Sequence, residues 1–279
     1  MKIGSVATKA LRWAAVNTIS VFSPAQKIVV GDTTYYISRT DDYISRELQQ
    51  DEGYHSKRLS NAIQLLRQRS SFQPGGVILN LGAHVGTTLI PAFQSGLFRQ
   101  GLGVEPAPEN AKLLEKNLAV NGLADRIKIA HLAIGEEVGQ GVLYLSRTNS
   151  GNHTFLEDRL VWDPFRPKVT VQVTTLDRLL NDFEVAPNDV SAVIMDIQGF
   201  EHQAFAGGHS LFSQSPPLIM EMDHNFIETQ EKLRTLCQDV GQHYERFHDL
   251  DDPQLTSRPI DSLEQYFGAF SGYRDMFLV

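Results

Sequence analysis

Two stretches of this chain carry residue types at spacings that could do chemistry. In the first, Val77-Ile-Leu-Asn-Leu-Gly-Ala-His-Val-Gly-Thr87, an apolar strand runs into Gly82 and Gly86, and a helical pattern follows. Glycine lets the backbone turn sharply and lets a ligand approach without a Cβ in the way. The spacing narrows the ligand. A dinucleotide fingerprint needs Gly-x-Gly-x-x-Gly so that a pyrophosphate can rest on the helix N-terminus. His84 stands where the middle glycine would be, no Gly-Lys-Ser/Thr follows for a phosphate loop, and no Tyr-x-x-x-Lys pair is present. A sulfonium amino acid needs no phosphate cradle. Glu105 ends the next strand, 23 residues after Gly82. A carboxylate there can accept hydrogen bonds from both hydroxyls of a ribose, and it also suits the positive end of a helix dipole.

The second stretch follows two later strands. Asp196 and Glu201 lie beyond the strand 190–195, separated by a Gln-Gly turn, so the two need not face one site. Glu201 reads as a first-turn helix charge. Glu221, Asp223 and His224 follow the strand 218–222. His224 could serve as a base near neutral pH, although a lone loop histidine is more often structural. His209 is a weaker candidate. The run His248-Asp249-Leu250-Asp251-Asp252 lacks the spacing of a calcium loop and reads as a solvated acidic loop, so no metal is expected. Asn152-His153-Thr154 matches a glycosylation acceptor by chance.

These residues need elements to hold them. Residues 28–37 read as a hairpin around Gly31-Asp32, and 42–70 as helix broken near Gly53. From 77 onward, short apolar strands alternate with helices: strands at 77–81, 101–104, 127–130, 142–145, 169–173, 190–195 and 218–222, and helices at 87–94, 108–120, 176–180 and 227–240. Late strands are expected at 244–247 and 276–279. This alternation implies an α/β, Rossmann-like, doubly wound and mostly parallel sheet with helices on both faces. In such sheets, ligands bind at the carboxyl ends of the strands. An N-terminal helical and hairpin extension over 1–72 precedes a cofactor-binding domain over 73–279.

Composition sets limits. The net charge of −8 makes nucleic acid a poor partner, because acidic surfaces repel phosphate backbones. The single cysteine, Cys237, forms no intrachain disulfide and reads as a small core residue. No run approaches the roughly 18 apolar residues of a membrane span. Residues 9–22 read as an amphipathic helix that packs on the domain, with weak contact to a partner or membrane surface as the alternative. A cytoplasmic location is expected. Oligomeric state is not legible.

Several segments, in order over residues 53–222, together resemble the FkbM-type methyltransferases, Rossmann-like enzymes that use S-adenosylmethionine. They include Leu79-Asn-Leu-Gly-Ala-His-Val-Gly86, Gly103-Val-Glu-Pro106, Ser150-Gly151, Met195-Asp-Ile-Gln-Gly-Phe-Glu201 and Pro216-Pro-Leu-Ile-Met-Glu221. The resemblance implies that Asn80, Gly82, Ala83, His84 and Gly86 hold the methionine part of S-adenosylmethionine. Glu105, beside Pro106, would bind the ribose, Ala133 would border the adenine, and Asp196 would sit beside the sulfonium. It also implies oxygen as the methylated atom, on a small-molecule or glycan acceptor such as a sugar or secondary metabolite. Asp196, Glu221 and His224 are then the catalytic candidates. The polar insertion 146–168, with Phe155, Trp162 and Phe165, is expected to form part of the acceptor pocket. Asn80 and Gln198 stand where the family usually has acids. Those departures raise the alternative of a binding or scaffold protein that kept the fold and lost the chemistry.

Overall fold

The computed structural model describes residues 25–50, 56–147, 149–160, 166–227 and 229–279. The expected amphipathic segment 9–22, the break at Gly53, and Trp162 and Phe165 lie outside them. Among the described residues, no helix is long and apolar enough to cross a membrane.

The chain opens on a hairpin, β1 (Ala25–Val30) and β2 (Thr33–Ser38), that turns at Gly31, whose φ is 55°. Helices α1 (Asp42–Gln50) and α2 (Ser56–Gln68) follow. Then come β3 (Val77–Leu81), α3 (Leu89–Gln94), β4 (Gln100–Val104), α4 (Pro108–Val120) and β5 (Ile127–Ala130). The short β6 (Ala133–Ile134) leads to β7 (Gly139–Tyr144) and, past the insertion, β8 (Lys168–Thr174) and α5 (Leu176–Asp182). The second half runs β9 (Val190–Met195), α6 (Glu201–Ala206), α7 (His209–Phe212), β10 (Leu218–Asp223) and α8 (Gln230–Gly241). It ends with β11 (Arg246–Asp249), β12 (Arg258–Pro259), α9 (Leu263–Gly268) and β13 (Tyr273–Leu278).

Eight strands form the central sheet in the order β12-β11-β13-β10-β9-β3-β4-β5. The run from β10 to β5 is parallel, and β13 pairs antiparallel with β10. The chain starts in the middle at β3, winds outward through β4 and β5, then returns to β9 on the other side. That reversal leaves a crevice at the carboxyl ends of β3 and β9. The central strands are buried on both faces, which is why they read as near-continuous apolar runs. Leu79, Leu81, Val193, Met195 and Met220 face one core, and Ile78, Ala192, Ile194 and Ile219 face the other. Ile37, Ile44 and Leu66 of the N-terminal extension join this second core with Leu89 and Leu114. Cys237 packs against the first core half-buried, and burial pushes its thiol up to about 12.

One difference from the sequence reading concerns the strands at 142–145 and 169–173. They appear as β7 and β8, but they pair antiparallel in a separate three-stranded sheet, β6-β8-β7. Local alternation identifies a strand; it does not say which sheet accepts it. Helix α9 and the two-residue strands β6 and β12 carry too short a pattern to be read.

Two helix ends show how local chemistry aims the elements. Pro108 stands at the start of α4, where its missing N–H costs nothing. At the other end, Gly122 has φ 68° and the Leu123 N–H reaches the Leu118 carbonyl at 2.8 Å, a Schellman closure. The exposed-looking amides of α4 have a further task. Asn117 accepts from the Tyr36 N–H at 2.6 Å and donates to the carbonyls of Tyr36 at 3.0 Å and Val85 at 2.8 Å. One turn on, Asn121 accepts from the Thr34 N–H at 2.9 Å and donates to the Thr34 carbonyl at 2.7 Å. These two side chains act as a substitute strand along the edge of β2, satisfying backbone groups that would otherwise be buried unpaired.

Candidate active site

The crevice holds a cavity at the carboxyl ends of β3, β4 and β9. Gly82, His84, Glu105, Pro106, Ala133 and Asp196 all line it. Its outer wall comes from the insertion, through Ser150, His153 and Phe155, with Phe155 packed on Phe200 at 4.8 Å between ring centroids. The insertion, expected at the acceptor pocket, thus contributes Phe155 to the wall of this cavity.

The turn after β3 requires glycine. Gly82 has φ 80°, and a Cβ there would lie 1.8 Å from the Asp196 carbonyl oxygen. The Asp196 N–H donates to the Leu81 carbonyl at 3.0 Å, so the two strand ends meet with no space for a side chain. Gly86 has φ 93° and Ala83 is buried; both shape the loop from behind the cavity wall. Asn80 also lies behind that wall, fully buried, and neither atom of its side-chain amide has a hydrogen-bond partner. Buried amides are nearly always satisfied, so this one is an exception, and it does not line the cavity that the resemblance expects it to serve.

Glu105 is buried at the end of β4. One carboxylate oxygen accepts from the Ala107 N–H at 2.8 Å, and the other from the His84 N–H at 2.8 Å. Burial pushes its carboxyl up to about 7, against the pull of those two bonds. Oε1 also takes Asn110 Nδ2 at 3.5 Å, so Oε2 is the oxygen that keeps a second lone pair. His84 itself sits at φ 50°, a left-handed conformation unusual for a residue with a Cβ, and burial lowers its imidazole to about 4. His153 is lowered to about 3 by burial and the neighbouring His84. Both rings are neutral at physiological pH, so neither repels a cationic ligand.

On the far side, the Gln198 side-chain amide donates to Asp196 and, at 3.0 Å, to Glu221. Gln198 has φ 53°, which turns its side chain back between the two carboxylates, and its own Oε1 is buried without a partner. Glu221 is pushed well above the usual carboxylate range by burial and by the charges of Asp196, Asp275 and Asp223. An amide that neutralises neither acid but bonds both keeps two like charges close.

Other candidates go elsewhere. The His224 ring stacks on Phe267 at 4.1 Å and 9°, with Nε2 3.3 Å from the Phe267 carbonyl, and does not line the cavity. Glu201 accepts from the N–H groups of Ile197 at 3.4 Å and Gly199 at 3.3 Å, closing the turn before α6. The acidic run is occupied internally: Asp249 accepts from the Tyr266 hydroxyl at 3.1 Å, Asp251 pairs with Arg58 at 2.7 Å, and Asp252 with Arg258 at 2.9 Å. The sequence reading assigned no role to Asp41, Asn110 or Tyr43. Their partners lie at sequence separations up to 230 residues (Tyr43 with Tyr273), which no local pattern records.

A family model described as "Methyltransferase FkbM domain" matches residues 80–252. Among solved structures, the chain is similar to the methyltransferase FkbM from Methylobacillus flagellatus at 16% identity, covering 74% of this chain and 44% of that one, with TM-score 0.40. This chain thus spans less than half the length of that relative. It is also similar to P. horikoshii TYW2 in complex with MeSAdo, at 11% identity over 92% of this chain and 70% of that one, TM-score 0.44. A third likeness is to the precorrin-6y C5,15-methyltransferase from Geobacter metallireducens, at 11% identity over 81% and 87%, TM-score 0.42. No curated protein matches the chain.

Proposed function

The chain belongs to the FkbM methyltransferase family, whose methyl donor is S-adenosylmethionine, and from that premise we propose that it methylates a hydroxyl oxygen of a sugar, glycan or secondary metabolite. The donor supplies a methyl group on a sulfonium, open to in-line displacement. Orientation and water exclusion by the protein then provide much of the acceleration. The residues that line the cavity suit it: Glu105 has a lone pair on Oε2 for a ribose hydroxyl, and Pro106 and Ala133 offer apolar wall.

The observation that carries the oxygen reading is the group Asp196–Gln198–Glu221. Asp196 lines the cavity, and Gln198 ties it to Glu221. Asp196 and Gln198 make this side of the cavity polar, which suits an acceptor molecule rich in hydroxyl donors. The same carboxylates oppose phosphate-bearing acceptors, so a nucleic acid is not the substrate in this reading. Burial and the charges of Asp196, Asp275 and Asp223 raise the Glu221 carboxyl, and Asp196, which lines the cavity, is the carboxylate assigned to take the proton. As the carbon–oxygen bond forms and the carbon–sulfur bond breaks, its electron pair staying on sulfur, the hydroxyl proton passes to Asp196.

The test is transfer of tritiated methyl from S-adenosylmethionine to a panel of neutral sugars, oligosaccharides and alcohols, with RNA as the contrast. Label in a hydroxyl acceptor, lost about 100-fold or more in Asp196→Asn with S-adenosylhomocysteine binding intact, supports the reading. Label in RNA refutes it. Tight cofactor binding with no transfer to any acceptor favours the scaffold alternative.

A further inference from the structure

Asp41 lies in the N-terminal extension, outside the segment that matches the family, and does not line the cavity. It is nonetheless 3% exposed, and its two oxygens are divided between two tasks. Oδ1 accepts from the Ile44 N–H at 3.0 Å, capping α1. Oδ2 accepts from the Ser150 N–H at 2.8 Å and also from the Ser150 hydroxyl. Because that hydroxyl gives its hydrogen to Asp41, its lone pair is free to accept from His84 Nε2, 2.6 Å away. His84 is thereby held in the Nε2–H tautomer.

Ser150 and Gly151 form the part of the cavity wall beside Glu105. Two side chains connect Ser150 to that carboxylate. His84 reaches the Ser150 hydroxyl through its ring and Glu105 through its N–H. Asn110 donates from Nδ2 to the Ser150 carbonyl at 3.1 Å and lies 3.5 Å from Glu105. Among the described residues, Asp41 is the hydrogen-bond partner that anchors Ser150 from outside the glycine loop and α4.

We infer that Asp41 is a positioning residue for the cofactor: through Ser150 it latches the insertion loop over the ribose side of the pocket, so the N-terminal extension sets how long the cofactor stays. A loop of this kind has little apolar burial of its own, since Ser150, Gly151 and Asn152 are all only partly buried. Its position therefore depends on hydrogen bonds to charged groups, which are the strong ones. Asp41 does not line the cavity itself and reaches its wall by hydrogen bonds to Ser150.

The inference rests on the cofactor pocket of the methyltransferase and not on the acceptor, so it is tested without one. Asp41→Asn keeps a good N-cap for α1 but replaces one acceptor oxygen by a donor facing the Ser150 N–H. S-adenosylhomocysteine dissociation is measured by stopped-flow displacement from the full-length wild type, Asp41→Asn, Ser150→Ala and the double variant, with ligand-free melting points alongside. Dissociation about tenfold faster in Asp41→Asn, with the double variant no faster than Asp41→Asn, is the expected result. The ligand-free melting point should move little, which a merely structural role would not allow. Should Asp41→Asn not fold, Ser150→Ala alone must still speed dissociation severalfold. Wild-type dissociation rates in both single variants would overturn the inference and leave the proposed methyl transfer standing. A failed acceptor screen with the latch effect present would do the reverse.

Discussion

The carboxyl of Glu105 makes cofactor affinity depend on pH in a calculable way. Burial raises it to about 7 in the ligand-free protein, while ribose hydroxyls donate to its ionised form. Binding therefore selects the deprotonated carboxylate: affinity is complete above pH 7 and is lost as pH falls below it. With a pKa near 7, about nine-tenths of the protein is ready at pH 8 and about one-tenth at pH 6, so S-adenosylhomocysteine should bind roughly tenfold more weakly at pH 6. Glu105→Gln removes the titration. Its affinity should be flat over this range and at pH 8 weaker by about 10–100-fold, from the loss of charge-assisted hydrogen bonds. Calorimetric titration at pH 6, 7 and 8, in buffers of different ionisation enthalpy, reads both the affinity and the proton released on binding. Glu201 and Glu221 also titrate high, but they remain in the Glu105→Gln protein and so are subtracted. A wild type with equal affinity at pH 6 and 8, or a Glu105→Gln variant with the same slope, would refute the assignment of Glu105 to the ribose.

Three further outcomes follow from the geometry. Gly82→Ala places a methyl 1.8 Å from the Asp196 carbonyl at a φ of 80°; denaturant melts should show a loss of about 3 kcal/mol or more, and cofactor binding should go with it. Asn117→Ala strands the Tyr36 N–H and the Tyr36 and Val85 carbonyls, costing about 3 kcal/mol by the same measurement and exposing the β1–β2 hairpin to limited proteolysis. Gln198→Glu puts a third carboxylate between Asp196 and Glu221; its folded-state pKa must be raised, so stability is lost as pH rises. Its melting point should match the wild type near pH 5 and fall below it by the equivalent of about 1–3 kcal/mol at pH 8.

The alternation of short apolar runs with helical patterns makes the α/β architecture legible in the sequence, because a parallel sheet buried on both faces leaves that trace in its strands. Residues 77–81, 108–120, 127–130 and 190–195 were read with the boundaries they have. The pair Gly82 and Glu105 was legible for a related reason: both follow strand ends, and the topology of such sheets brings strand ends to one edge. What depended on tertiary structure was everything set by distant partners. That β7 and β8 pair with β6 in a sheet of their own does not follow from their alternation, which is the same for either sheet. The loop histidine His224 lost its place at the site to a stacking contact with Phe267, on a helix too short to read. Gln198, which looked like a lost charge, proved to be the amide that lets Asp196 and Glu221 lie together. Asp41 could not be found in the sequence at all, because its partner Ser150 is 109 residues away and a lone aspartate before a helix reads as a cap. Periodicity records what a residue does for its own element; the sharing of one carboxylate between two elements exists only once the chain has folded.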